Sequence, residues 1–494
     1  MPPDHPAPDH LDPGLDRDRV LERLAAMRSG DLPTHGGRTL AYVYDSGLAE
    51  ADALGAQAMS MFASANGLDP TAFPSLLTME NDLVGAAARL LHAPSGAAGT
   101  VTSGGTESIL LAVQTARDAH PQIERPVMVL PTTAHAAFHK AGHYFGVEPV
   151  LVDVDPATKK ADPEGMAAAL DAYEGRVVLA AVSAPSYAHG VVDPVGPVAA
   201  AAAVRRVRCH VDACIGGWVL PYLDRLDTGR APEAWDFRAD GVTSVSVDLH
   251  KYAYTPKGVS VLLHRDAALR RPQFFASAGW PGYTMLNSTT QSTKSGGPVA
   301  AAWAVVRLIG DDGYLALAER TRAGVDSLAD GVRRIEHLRL VAEPESTLVV
   351  LGVDETCDVF TVSDAMLARG WFVQPQMSFR DMPATLHLTV SAATADGVPE
   401  LLDALAGAVA DAVAAGPVAV PQELADAART LDPSDLDDAA FDGLLSLAGL
   451  ADADGGVEVP EAMAPVNALL DVAPPRLREA LLVAFLDRLS RPTP

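Results

Sequence analysis

The sequence predicts an α/β fold: a large, mostly parallel sheet covered by helices, then a smaller C-terminal α/β lobe and a helical C-terminal extension. Three observations predict it. Between about residues 95 and 265, short β-branched apolar runs alternate with Ala-rich helical stretches, as in strands joined by crossover helices. Beyond a helical stretch at 298–335, a shorter strand-and-helix set reappears at 345–415. A Gly-Pro pair at 416–417 then opens an acidic tail with helical patterning.

The elements follow in order. Residues 1 to about 35 read as a loose arm with one short helix over Val20–Arg28. Apolar residues at helical spacing predict helices over 48–65 and 79–92. The expected core strands are 127–130, 150–154, 177–182, 209–211, 244–247 and 259–263. Helices at 106–119, 134–145, 164–173 and 195–205 lie between them. The smaller lobe carries strands 347–352 and 386–390 and a helix at 398–414. The tail carries helices at 422–430, 440–448, 462–471 and 475–490. Leu469, Leu470, Val472, Leu477, Leu481, Leu482, Phe485 and Leu486 give it an apolar face to pack on the body or on a partner subunit. The expected divisions are an N-terminal arm with helices (1–70), a large domain (71–310), a small domain (311–416) and the extension (417–494).

Composition excludes several functions. The 494 residues carry 37 basic and 63 acidic side chains, a net charge of −26. That argues against a nucleic-acid binder and against docking on anionic lipid. No apolar run is long enough to span a bilayer, and the Pro/Asp-rich start lacks a signal-peptide core. Three cysteines, none in a Cys-x-x-Cys pair, make no disulfide framework, so a cytoplasmic location is expected. Only six of the basic residues are lysines.

Three motifs carry chemistry. In Thr102-Ser-Gly-Gly-Thr-Glu-Ser108, glycines and hydroxyls open an apolar helix. Free N–H groups and the positive end of the helix dipole suit a phosphate there, although a plain capped loop has the same residues. In Val211-Asp-Ala-Cys-Ile-Gly-Gly217, Asp212 ends a buried strand at the sheet edge that faces a ligand crevice. A carboxylate so placed needs a cationic partner, such as a protonated pyridine nitrogen, or else caps the next turn. In Ser244-Val-Ser-Val-Asp-Leu-His-Lys-Tyr252, a rare lysine follows a core strand. Drawn into a crevice, Lys251 is expected to lose its ammonium form and to act as an amine nucleophile. In this order, the three elements assemble a site for pyridoxal 5′-phosphate (PLP): a phosphate cradle, an acid for the ring nitrogen and a lysine for the aldehyde. His135, His139 and His143, at helical spacing, raise a metal site, but they lack the glutamate of a His-Glu-x-x-His pattern.

The stretches VTSGGTESILLA, TAHAAFHKAGHYFG, HVDACIGGWVLP and SVSVDLHKYAYTPKGVSVLL closely resemble the sphingosine-1-phosphate lyase family. That family belongs to the PLP-dependent group II decarboxylases of fold type I. The resemblance runs from about Tyr44 to Ala410. It implies Lys251 as the Schiff-base lysine, Asp212 as the pyridinium partner and His135 as the imidazole stacked on the ring. It implies Ser103, Gly104, Gly105, Thr106, Ser246 and His250 as cofactor-binding, most of them at the phosphate. Ser295-Gly296-Gly297 resembles the loop that completes the neighbouring subunit's site, which implies a homodimer. Tyr44 matches a family tyrosine near the substrate and Lys257 a second family lysine close to the active site, which implies both as catalytic.

The pattern departs from that family before the first motif. Asp69 stands where the family has His, and Leu77 where it has Arg. Thr293-Lys-Ser-Gly-Gly297 replaces Ser-Arg-Pro-Gly-Gly, and lysine lacks the bidentate geometry of arginine toward a phosphate. These changes weaken the expected recognition of a phosphorylated substrate. The expected activity is a carbon–carbon lyase acting at Cα of a small amino substrate, by decarboxylation or by aldol cleavage. An aminotransferase, or a non-catalytic scaffold that keeps the fold, are the alternatives.

Overall fold

The structure is a computed structural model that describes residues 14–226, 233–433, 436–447 and 462–491. A seven-stranded sheet forms its centre, in the order β1-β7-β6-β5-β4-β2-β3. The strands are β1 (Ala98–Thr102), β2 (Val127–Pro131), β3 (Glu148–Val152), β4 (Val177–Ser183), β5 (Arg208–Asp212), β6 (Val242–Asp248) and β7 (Ser260–His264). From β3 to β6 every neighbour pair is parallel. The fully buried runs of β2 and β4 reflect helices on both faces.

The mostly parallel sheet has an antiparallel edge. β7 runs antiparallel to both β6 and β1, so it returns the chain alongside the site. β1 was not expected at all. Its five residues end directly in the Thr102–Ser108 turn, and their partner lies far along the chain in β7. A short hairpin, β8 (Phe275–Ser277) with β9 (Met285–Asn287), was also unexpected.

The helix Pro74–Leu90 starts earlier than expected because Pro74 occupies the first turn, where its missing N–H costs nothing. The helical stretch that leaves the sheet, Gly296–Val332, is two helices joined at Gly310, whose φ of 63° only glycine adopts readily. It leads to a four-stranded sheet, ordered β10-β11-β13-β12, in the small domain. These strands are β10 (Leu338–Leu340), β11 (Leu348–Val353), β12 (Gln374–Gln376) and β13 (Thr385–Thr389). The two short edge strands, β10 and β12, lie outside the sequence expectation. Lys160 and Glu345, paired at 2.6 Å, tie the large domain to the small one.

The tail docks on the small domain. Ala464 and Ala468 join its apolar core. Asp364 caps the start of helix Ala464–Val472 by accepting from the Ala464 N–H at 2.7 Å. Leu477 is buried, and Leu481 and Phe485 pack around Phe441. Leu482 and Leu486 stay more than half exposed, at 51% and 65%, so only part of the expected apolar face is covered in the chain. The expected helix end at 448, like residues 1–13 of the arm, lies outside the described residues.

Candidate active site

Four parallel strands deliver residues from their carboxyl ends to one cavity of about 410 Å³. From β5 comes Asp212, and from β6 come Asp248, His250 and Lys251. The turn after β4 places Pro185 and Tyr187, and the one after β2 places His135. The helix Gly105–Asp118 points its start at the same space, with Ser103, Gly104, Gly105 and Thr106 in the wall.

That helix start is built to take an anion. Gly104 provides no side-chain cap, so the first-turn N–H groups lack a capping partner. Glu107 bends back instead and braces the turn. It accepts from the Ser103 N–H at 2.7 Å and from the Thr290 N–H at 2.8 Å. Burial works against its charge, but these hydrogen bonds outweigh burial and hold its pKa below the usual range. Across the cavity wall, His250 Nδ1 is buried and has no protein partner. An unpaired imidazole nitrogen beside unpaired backbone donors fits the phosphate of PLP.

Asp212 is held from behind. The Cys214 N–H donates to its Oδ1 at 3.1 Å, and the Ser246 hydroxyl lies 3.4 Å away. Ser246 is fully buried and does not line the cavity. It bridges Asp212 to the Cys214 thiol and to His210 Nε2, so it stands one layer below any cofactor. His135 caps the helix Ala136–Phe145: its Nδ1 accepts from the Ala137 N–H at 3.1 Å. This leaves Nε2 to carry the proton and sets the ring's orientation. His139 and His143 are exposed on the same helix.

The expectation that burial leaves Lys251 as a free amine is overturned. Burial does oppose its charge, but Asp248 outweighs burial, helped by Tyr44, Cys214 and Asp212, and holds the pKa well above the ordinary lysine value. The cause is a carboxylate oxygen 3.0 Å from Nζ. Asp248 stands in the same motif as Lys251, and the sequence alone implied no role for it.

Tyr44 and Lys257 sit beside the cavity, outside its wall. Tyr44 meets Tyr252 edge-on at 5.1 Å, and Lys257 Nζ lies 5.0 Å from the Tyr44 ring centre. Lys257 donates to the Tyr42 carbonyl at 2.8 Å. Its side chain reaches solvent, but the surrounding protein and then Lys251 push its pKa down to about 8. Gly296 and Gly297 are buried against Ala65, Leu76 and Met59 of the same chain, away from the cavity lining. Asp69 caps its own turn by accepting from Thr71, and Leu77 is 46% exposed. Lys294 pairs with Glu80 at 2.7 Å and donates to the Val101 carbonyl.

The small domain completes the surroundings, through residues without any sequence signal. His387 on β13 stacks on Tyr187 at 4.1 Å between ring centres. The Tyr187 hydroxyl donates to Gln374 Oε1 at 3.0 Å. Gln376 Nε2 donates to the Ala188 carbonyl at 3.0 Å, so β12 buttresses the loop that carries Tyr187.

A family model described as the pyridoxal-dependent decarboxylase conserved domain matches residues 35–353. The chain belongs to the pyridoxal-dependent decarboxylase family. PLP is thus its cofactor, and the large sheet with its flanking helices is the fold type I architecture. A second model, described as the C-terminal putative HTH domain of pyridoxal-dependent enzymes, matches residues 422–488 and assigns the tail to this family's setting as well.

Among relatives of this family member, the sphingosine-1-phosphate lyase of Dictyostelium discoideum is 38% identical over 338 residues, 68% of this chain and 62% of that protein. A Methanothrix thermoacetophila protein named "Probable L-tyrosine/L-aspartate decarboxylase" is 31% identical over 367 residues, 73% of this chain and 88% of that one. The solved structure of Burkholderia pseudomallei sphingosine-1-phosphate lyase is 34% identical with a TM-score of 0.76, covering 82% of this chain and 93% of that one. The chain spans 62% to 65% of the length of the first curated relatives it matches. Among the described residues, no helix is long and apolar enough to cross a membrane, and no group of three His, Cys, Asp or Glu could hold a metal ion.

Proposed function

We propose that this protein is a PLP-dependent carbon–carbon lyase acting at Cα of a small amino substrate, by decarboxylation or by retro-aldol cleavage. The observation that supports it most is the convergence of Lys251, Asp212, His135 and the Gly104–Thr106 turn on one cavity. When bound, PLP supplies an electron sink for the pair released at Cα. Lys251 Nζ is the amine that holds its aldehyde. Asp212 favours a proton on the ring nitrogen, and Ser246 keeps that carboxylate in place. His135 is the imidazole for the ring face, while Ser103, Gly104, Gly105, Thr106 and His250 hold the phosphate.

Tyr44 and Lys257 stand where they can orient the substrate. We read Gly296 and Gly297 as part of the neighbouring subunit's site, which makes the working unit a homodimer; a cytoplasmic location goes with this reading. In this reading the large domain spans 71–310, the small domain 311–416 and the extension 417–494. The exposed Leu77, the self-capping Asp69 and the engaged Lys294 argue against a phosphorylated substrate within one chain.

The test is a panel of amino acids and β-hydroxy amines incubated with the holoenzyme and assayed for CO₂ and for aldehyde. Either product supports the lyase, and aldehyde without CO₂ rejects decarboxylation. Transfer of the amino group to a 2-oxo acid, with neither lyase product, would contradict the proposal.

A further inference from the structure

One buried carboxylate joins the lysine to the phosphate-facing histidine, and the roles proposed above leave it unused. Asp248 ends β6 and is 2% exposed. Its Oδ1 accepts from the Ser260 hydroxyl of β7 at 2.6 Å. Its Oδ2 lies 3.0 Å from Lys251 Nζ and 3.6 Å from His250 Nε2. It also presses on the start of the anion-binding helix, where a Cβ on Gly105 would come within 2.8 Å of both oxygens. Amine, imidazole and helix start therefore meet at a single carboxylate.

A buried carboxylate is costly unless it is paired and hydrogen-bonded, and Asp248 has both kinds of partner. Burial pushes its pKa up, but Lys251, then His250, then the Ser260 hydroxyl outweigh burial and keep it ionised. Tyr44, Cys214 and Asp212 also face Lys251, and Lys257 faces Lys251 and His250 from the following loop. Of the carboxylates in this group, Asp248 is the one in ion-pair contact with the lysine. With Nε2 turned to Asp248, His250 keeps Nδ1 free of protein partners on a ring that lines the cavity.

We propose that Asp248 is a positioning residue: the shared counter-ion that holds positive charge on Lys251 Nζ and, through His250 Nε2, sets the orientation of the His250 ring whose Nδ1 faces the cavity. This rests on the PLP reading above and goes beyond it, because it assigns the charge state of the site to a residue outside the lysine–aspartate–histidine set. Ser260 acts through Asp248, fixing the carboxylate's second oxygen.

The test uses the full-length holoprotein, with D248N and S260A as variants. The visible absorbance of the bound cofactor is titrated with pH, and the PLP dissociation constant is measured by equilibrium dialysis. Removing the negative charge moves the absorbance transition of D248N down by about one pH unit or more. It also weakens PLP binding about tenfold, since His250 loses the partner that aims it. S260A shifts the transition in the same direction by a smaller amount. A D248N protein with wild-type transition and wild-type PLP affinity overturns the proposal, as does one that loses only thermal stability. If D248N does not fold, S260A decides: an unmoved transition overturns the proposal and a downward shift supports it. A wild-type protein that shows no cofactor absorbance would instead refute the PLP reading itself.

Discussion

The two sides of the cavity are built differently. The cofactor side comes from strand ends and one helix start within the large domain: Gly104 to Thr106, Asp212, Asp248, His250 and Lys251. Each piece belongs to a short motif whose backbone sets the side chain's direction. The surroundings beyond that wall are assembled from distant segments: Tyr187 after β4 lines the cavity and is backed by Gln374 on β12 and His387 on β13, while Lys257 lies against Tyr44. In the function proposed above, chemistry at Cα rests on the first side and the choice of substrate on the second. One fold can therefore keep its reaction machinery while the surrounding segments change.

If that division holds, variants on the two sides fail in different ways. Asp212→Ala removes the carboxylate proposed for the ring nitrogen, and kcat falls by about 10²- to 10³-fold. Steady-state kinetics at saturating PLP would show this, and an unchanged kcat would move the ring nitrogen elsewhere. Gly105→Ala places a Cβ 2.7 Å from Cys214 Sγ and 2.8 Å from the Asp248 oxygens. The helix start must shift, so PLP affinity drops about tenfold, with a stability loss of about 1–3 kcal/mol.

The substrate side predicts smaller, differently shaped effects. Lys257 has its pKa pushed down to about 8, so its positive charge is present below that pH and is lost above it. For a substrate with a carboxylate, KM then rises as pH passes through about 8. Lys257→Gln is expected to raise KM about threefold to tenfold at pH 7 and to flatten that rise. Cofactor affinity should stay near wild type, and a colourless Lys257→Gln protein would break the division between the two sides.

The mildest case lies in the tail. Asp471 Oδ1 accepts from both the Ser378 N–H and its hydroxyl, at 2.6 and 2.8 Å, just beyond β12. Asp471→Ala loses about 1–2 kcal/mol of stability by denaturant unfolding. A change in kcat larger than the change in stability would show that the tail reaches the site.

How much was readable from the chain follows the same division. Lys251, Asp212 and the Gly104–Thr106 turn announce themselves through local residue order, because a strand end or a helix start projects nearby side chains into one crevice. Asp248 had a signal, a carboxylate between a core strand and His250-Lys251, yet its consequence for the lysine's charge needed the 3.0 Å contact. Tyr187 and His387 meet only through tertiary folding and left no trace in spacing. Strand β1 was hidden for a related reason: its five residues gain their pairing from β7, whose register no local pattern encodes. The tail's apolar stripe was visible, but not which of its residues the small domain covers. Ala464 and Ala468 do the docking, while Leu482 and Leu486 stay exposed.

The central claim is that Lys251 carries the cofactor. Borohydride reduction of the holoprotein, followed by peptide mass spectrometry, tests it directly. The expected result is a reduced phosphopyridoxyl group on Lys251, absent from the Lys251→Ala protein. A group found on Lys257 or another lysine, or on none, would contradict the account.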